Sequence, residues 1–219
     1  MLKEKLCTNC FVVGHTRGQC KRPPACKACK KTGHTAGDAR CEAHTTKQKQ
    51  SAVNHPTSPL SNLYESELQT MGMTFTCVEQ AYLYSKAIQR GQPDIADEIL
   101  KAPSPSIARS KGKFLRYDPN WTTDSKKKLM KQILEAKVEQ NEDFVDALKA
   151  TVNTRIVYAH PNEYEWGTGL NEEQSCCTKM KFWPGKNLLG TLLEDIRSMV
   201  LSNSGPTERR TSTGKQKNG

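Results

Sequence analysis

Val78-Glu-Gln-Ala81-Tyr-Leu-Tyr-Ser85-Lys-Ala-Ile88 carries the pattern from which the fold is read. Val78, Ala81, Ser85 and Ile88 recur at helical spacing and predict one buried stripe, while Glu79, Tyr82 and Lys86 fall on the neighbouring stripe at i, i+3 and i+7. A carboxylate, a phenol and an amine aligned beside a buried face are able to line a polar cleft; on spacing alone a solvated face is the preferred reading. Outward from this stretch, the same periodicity predicts helices over 94–102, 104–110, 124–139, 142–150 and 188–201, with Asn141 as a cap for the fourth. A short β-branched run predicts a strand over 155–159. The expected fold class is α+β, predominantly helical with a minor sheet.

Charge and cysteine divide the 219 residues into unlike parts. Residues 1–50 hold 11 Lys+Arg against 3 Asp+Glu, residues 51–201 hold 18 against 19, and residues 202–219 hold 4 against 1. The net +10 therefore belongs to the ends. Six of nine cysteines lie in the first 50 residues, which contain too few aliphatic side chains to bury a core. Residues 45–60 are polar, contain two prolines and read as a flexible linker; residues 202–219 read as a disordered basic tail. No run approaches about 18 apolar residues, so no membrane helix is expected. The charged Met-Leu-Lys-Glu-Lys start lacks an apolar core, so an intracellular protein, cytoplasmic or nuclear, is expected, with the cysteines as metal ligands or free thiols. Adjacent Cys176 and Cys177 read as ordinary thiols.

Within residues 1–44 two units repeat: Cys7, Cys10, His15, Cys20 in the spacing C-x2-C-x4-H-x4-C, then Cys26, Cys29, His34, Cys41 in the spacing C-x2-C-x4-H-x6-C. A C-x2-C pair grips one ion from a tight turn and the later His and Cys close a tetrahedron, which makes each a closed, structural zinc site. Glycine precedes each histidine (Gly14, Gly33), allowing the turn that carries the imidazole inward. The segment resembles the CCHC zinc knuckles of retroviral and retroelement nucleocapsid proteins. The second unit departs by two extra residues before Cys41, and His44 is an alternative last ligand. The resemblance implies binding of single-stranded RNA or DNA, with Phe11 placed to stack on a base and Arg17, Lys21, Arg22, Lys30 and Lys31 placed for the phosphates.

Two glycine-bearing segments, His160-Pro-Asn-Glu163-Tyr-Glu-Trp166-Gly167-Thr-Gly169 and Gly185-Lys-Asn187-Leu-Leu-Gly190, allow close approach of a planar or phosphorylated ligand; neither is a Walker loop or a dinucleotide fingerprint. Together with Ser61-Asn62-Leu-Tyr64, Phe75-Thr-Cys-Val-Glu79-Gln-Ala-Tyr82, Lys86, Ile99-Leu-Lys-Ala102, Trp121, Ala136-Lys137 and Arg197, they make residues 61–201 resemble the NADAR domain, a family that includes N-glycosidases acting on riboflavin-biosynthesis intermediates. His160-Pro161-Asn162-Glu163 stands where the family usually has Ser-Pro-x-Asp, and Val138 where Phe is common.

The resemblance implies hydrolysis of a ribose–nitrogen bond in an ADP-ribosylated guanine or a related ribosyl phosphate, with no organic cofactor. Such cleavage builds positive charge on the ribose and negative charge on the leaving nitrogen, and calls for a fixed carboxylate and a proton donor. Glu79 is the expected carboxylate. Lys86 or Lys137 is the expected cation, able to form an imine if burial lowers its pKa. Trp166 is expected to be a platform for base or sugar. Asn187 and the Gly190 turn are expected to hold phosphate or ribose hydroxyls, with Asn62, Glu163, Gly167 and Gly169 nearby and Tyr82 and Trp121 shaping the pocket. The contrasting expectation is a non-catalytic nucleic-acid-binding protein whose domain recognises ADP-ribose without cutting it.

Overall fold

The computed structural model describes residues 7, 9–12 and 14–203, so most of the expected basic tail lies outside the described residues. Among the described residues, seven α-helices and four short strands follow in the order β1 (Gln50–Ala52), β2 (Leu68–Thr70), β3 (Met73–Phe75), α1 (Val78–Gln89), α2 (Pro93–Leu100), α3 (Pro105–Gly112), α4 (Thr123–Gln140), α5 (Glu142–Ala150), β4 (Arg155–Val157), α6 (Glu172–Cys176) and α7 (Leu188–Asn203). No described helix is long and apolar enough to cross a membrane. The helices read from periodicity are present with ends shifted by one or two residues, as frayed termini allow. Asn141 caps α5 as expected, its side chain accepting from Phe144 N at 2.7 Å.

Helix α1 is the hub, packed by α2, α3 and α4, while α4 and α5 pack on α7. This surround changes the expected stripe. Val78, Ala81 and Ser85 are buried, but so are Tyr82, Leu83 and Ala87, whereas Ile88 is exposed. A helix covered on several sides has no single apolar face. Gln80, fully buried, resolves its polarity by accepting from Thr76 N at 2.7 Å and donating to the carbonyls of Ile99 and Leu100 at 3.0 and 3.1 Å, which ties the start of α1 to the end of α2.

The expected linker is built into the fold. Strand β1 pairs in parallel with β4 in the register Gln50↔Arg155 and Ala52↔Val157, and Val53 is buried. Backbone ladders need no apolar side chains, so this polar segment is ordered by a partner about a hundred positions away. Strands β2 and β3 form a hairpin whose two-residue turn, Met71 and Gly72, has φ of 52° and 74°, the conformation a two-residue type I′ turn requires.

Lys137 is 1% exposed, and its Nζ donates to Pro59 O at 2.9 Å beside the rings of Tyr64 and Phe144. Burial lowers its pKa to about 8. The folded state therefore releases this proton before the unfolded chain does, so Lys137 makes stability rise between about pH 8 and the ordinary lysine value near 10.4. Urea unfolding of wild type and Lys137→Met across that range should show the wild type gaining a few kcal/mol relative to the variant; a constant difference would contradict the buried placement.

Candidate active site

A cavity of about 500 Å³ opens where α1, α3, the 53–63 segment and the 158–166 loop meet, within the size range of small-molecule sites. Glu79 enters from the first turn of α1, whose N-cap is Cys77 and whose backbone is pinned by Glu79 N donating to Asn62 O at 2.9 Å. Its carboxylate, 14% exposed, accepts from Arg109 Nε of α3 at 2.9 Å. Glu79 thus sits in the first turn of α1, at the positive end of the helix dipole, against this guanidinium. Arg109 also interacts with the phenol of Tyr158, whose pKa burial raises. Burial raises Tyr82 as well, so both phenols stay protonated at neutral pH.

Trp166 stands edge-on to Tyr82, with ring centroids 5.7 Å apart at 87°, and Trp121 backs Tyr82 at 6.3 Å. Glu163 turns one oxygen onto its own loop, accepting from Glu165 N and Trp166 N at 3.2 Å each. This holds Trp166 against the cavity. Asn54 and Asn62 both line the cavity with a buried Oδ1 that no protein group donates to. Two orphan acceptors in a cleft are matched by a ligand that brings hydroxyl or N–H donors.

Of the expected site residues, Asn62, Glu79, Tyr82, Glu163 and Trp166 line this cavity, and Trp121 sits behind it. Lys137 does not: its amine is committed to Pro59 O, which removes it as an imine former. Lys86, two turns along α1 from Glu79, is half-buried outside the lining; burial, then Arg90 and Lys126, lower its pKa. The expectation that Asn187 and Gly190 bind ligand also changes. Asn187 is buried with φ of 51°, accepts from Tyr158 N at 2.9 Å and donates to Ile156 O at 3.0 Å.

The two glycine segments approach each other, and β4, rather than a ligand. Asn187 N, Gly185 N and Leu189 N donate to Gly167 O, Thr168 O and Trp166 O, and Gly169 packs against the Tyr164 ring. A Cβ at Gly190 would lie 2.2 Å from Ile156 O, at Gly185 2.2 Å from Gly167 O, and at Gly167 2.6 Å from Tyr158 O. Gly190→Ala should thus cost roughly 3 kcal/mol by forcing α7 off β4, lowering Tm by about 6–12 °C in a thermal melt; an unchanged Tm would refute the contact. Arg109 and Asn54 carry no signal in the sequence, because they come from separate elements that meet only in the fold; Tyr158 and His160 lie on the same loop as Glu163 and Trp166.

The Cys/His units form two clusters, Cys7, Cys10, His15, Cys20 and Cys26, Cys29, His34, Cys41, with all ligand atoms of each within 4.8 Å of one another. Each is able to hold a metal ion. The donor set fits zinc: a tetrahedral ion with sulfur at about 2.3 Å separates two thiolates by about 3.8 Å, and Cys26 Sγ lies 3.7 Å from Cys41 Sγ. Both imidazoles present Nε2, to Cys10 Sγ at 3.4 Å and to Cys29 Sγ at 3.1 Å. The donor set of the second cluster contains Cys41; His44 is engaged instead with Gly37 O at 3.1 Å and bridges to Thr178. The repeat is structural too: Phe11 and Lys30, each following its C-x2-C pair, have φ of 56° and 67°. Of the expected strand-binding residues, Arg17, Lys21 and Arg22 are exposed on the first unit, and Lys31 pairs with Glu42 at 2.6 Å.

The second cluster is not a tethered bead. Cys26, Ala28, Ala36, Cys41 and Ala43 share a small core with Leu170, Phe182 and Trp183, and Lys27 Nζ donates to Pro161 O at 3.1 Å.

Comparison with known proteins agrees with this architecture. The family model of the NADAR domain matches residues 46–201. Protein irg-1 of Caenorhabditis elegans is 34% identical over 144 residues, 64% of this chain and 68% of the relative. N-glycosidase R617 of Acanthamoeba polyphaga mimivirus is 30% identical over 124 residues, 56% of this chain and 73% of the relative. The NMR structure of the E. coli protein YbiA superposes with a TM-score of 0.57 at 21% identity, over 80% of this chain and 98% of that one, a likeness of fold.

Proposed function

The chain belongs to the NADAR domain family, and from that premise we propose that it is an N-glycosidase-like hydrolase that cleaves a ribose–nitrogen bond, in an ADP-ribosylated guanine or a related ribosyl phosphate. The observation that carries the reading is the Glu79 carboxylate, fixed by Arg109 in a Trp-walled cavity; a viral relative named as an N-glycosidase supports the reaction class. As the bond from the anomeric carbon to nitrogen breaks, its electron pair leaves with the nitrogen. Glu79 stabilises the oxocarbenium-like ribosyl centre, and water adds to that carbon, its surplus proton restoring the group that protonated the leaving nitrogen. The protonated phenols of Tyr82 and Tyr158 and the imidazole of His160 are the cavity groups able to supply the proton the leaving nitrogen takes up. Asn54 and Asn62 accept from ribose hydroxyls, and Trp166 carries the base or sugar.

Two structural zinc ions order the N-terminal units, whose exposed basic residues bind single-stranded RNA or DNA. One feature favours a recognition module that does not cut: the Glu79 carboxylate already has a cationic partner in Arg109. Incubating the full chain with an oligonucleotide carrying ADP-ribosylated guanine, and separately with a free ribosylated pyrimidine phosphate, separates the readings. Release of ADP-ribose from the oligonucleotide, or of the free base from the ribosylated phosphate, supports hydrolysis, and tight binding with no release supports recognition alone.

A further inference from the structure

A second cleft, of about 520 Å³, lies between the domain and both Cys/His units, with Phe11 from the first and Lys27, Ala28 and Lys30 from the second. Its walls are aromatic: Phe11 from the first unit, Tyr164 from the cavity loop, and Phe182 with Trp183 from the segment before α7. The Trp183 ring is fixed through Nε1, which donates to Ser175 O and Thr178 O at 3.3 and 3.1 Å. Lys30 Nζ stands 3.9 Å over the Phe11 ring, Lys181 Nζ stands 5.2 Å from the Phe182 centroid, and no carboxylate is among the lining residues.

We propose that this cleft binds single-stranded nucleic acid across the zinc units and the hydrolase domain together, delivering the strand to the mouth of the catalytic cavity. The inference rests on the nucleic-acid reading above and deepens it by placing half of the site on the domain. Four aromatic rings in one cleft match unpaired bases, which stack on any flat aromatic face, and the lysines match the phosphates between them. A duplex keeps its base faces stacked internally and offers nothing to these rings. Tyr164 neighbours Glu163 and lies two positions before Trp166, both cavity residues, so a base stacked on Tyr164 sits one loop away from Glu79. The zinc units alone provide one aromatic, Phe11; the other three belong to the domain.

The test is fluorescence anisotropy on the full, zinc-loaded chain with labelled oligouridylate and oligothymidylate of about 12 nucleotides. Wild type is expected to bind both and to show quenched tryptophan emission. Tyr164→Ala should weaken binding about five- to a hundredfold, the range of one lost stack. Lys181→Glu should weaken it about tenfold and lower the slope of log affinity against log salt by about 1. Wild-type binding by both variants would overturn the cleft while leaving the zinc units as binders. No binding by wild type would overturn both readings. Competition by polyglutamate as effective as by the oligonucleotide would overturn the cleft in favour of a generic acidic partner.

Discussion

Glu79→Gln is expected to lower kcat by about 10²- to 10⁴-fold on any ribosylated substrate the cavity accepts, with KM nearly unchanged. Glutamine keeps the shape and an oxygen for Arg109 Nε, 2.9 Å away, but removes the negative charge. That charge matters little to a neutral ground state and much to a ribosyl cation, so the loss falls on turnover rather than on binding. Folding should change by no more than about 1 kcal/mol, since Arg109 is 43% exposed and water rehydrates it. Steady-state kinetics with a parallel thermal melt checks both halves; wild-type turnover in the variant would show that the carboxylate has another role.

The second large effect concerns metal. Removing zinc with a chelator, or substituting Cys26→Ser, should unfold the second unit outright, because apparent binding energies of about 10–16 kcal/mol near pH 7 are the folding energy of such segments. That unit covers Trp183 and Phe182 through Ala28, Ala36 and Ala43. Its loss should therefore shift tryptophan emission to the red while the helical signal of α1, α4 and α7 persists. Cys7→Ser should release one metal equivalent and shift that emission much less, because the first unit has no part in this small core and meets Trp183 only across the cleft lined by Phe11. Equal red shifts from the two substitutions would contradict the docked arrangement.

How much of this was legible beforehand divides by range of interaction. Helices α4 and α5 repeat their apolar positions locally and carry their caps in sequence, so both were readable with boundaries close to those found. The metal clusters were readable for the same reason, since spacing alone brings four ligands together. Strand β1 was not: Gln50-Ser-Ala52 has no apolar pattern and exists because β4 offers it a ladder. Strands β2 and β3, three residues each, are too short to display alternation. In the cavity, Glu79 and Trp166 were found through resemblance, whereas Arg109 was invisible because its partner lies 30 positions away on another helix. Asn187 and Gly190 misled for an instructive reason. A glycine-bearing turn signals close approach, but sequence does not say whether backbone or ligand approaches; here it is Ile156 O.

The central claim, that the Glu79 cavity hydrolyses a ribose–nitrogen bond, is tested most directly by turnover in heavy-oxygen water with the ADP-ribosylated guanine oligonucleotide, followed by mass spectrometry of both products. The account predicts one heavy oxygen on the released ADP-ribose, none on the restored guanine, and release slowed about 10²- to 10⁴-fold in Glu79→Gln. Intact substrate held tightly without release, or label appearing on the base, would contradict it.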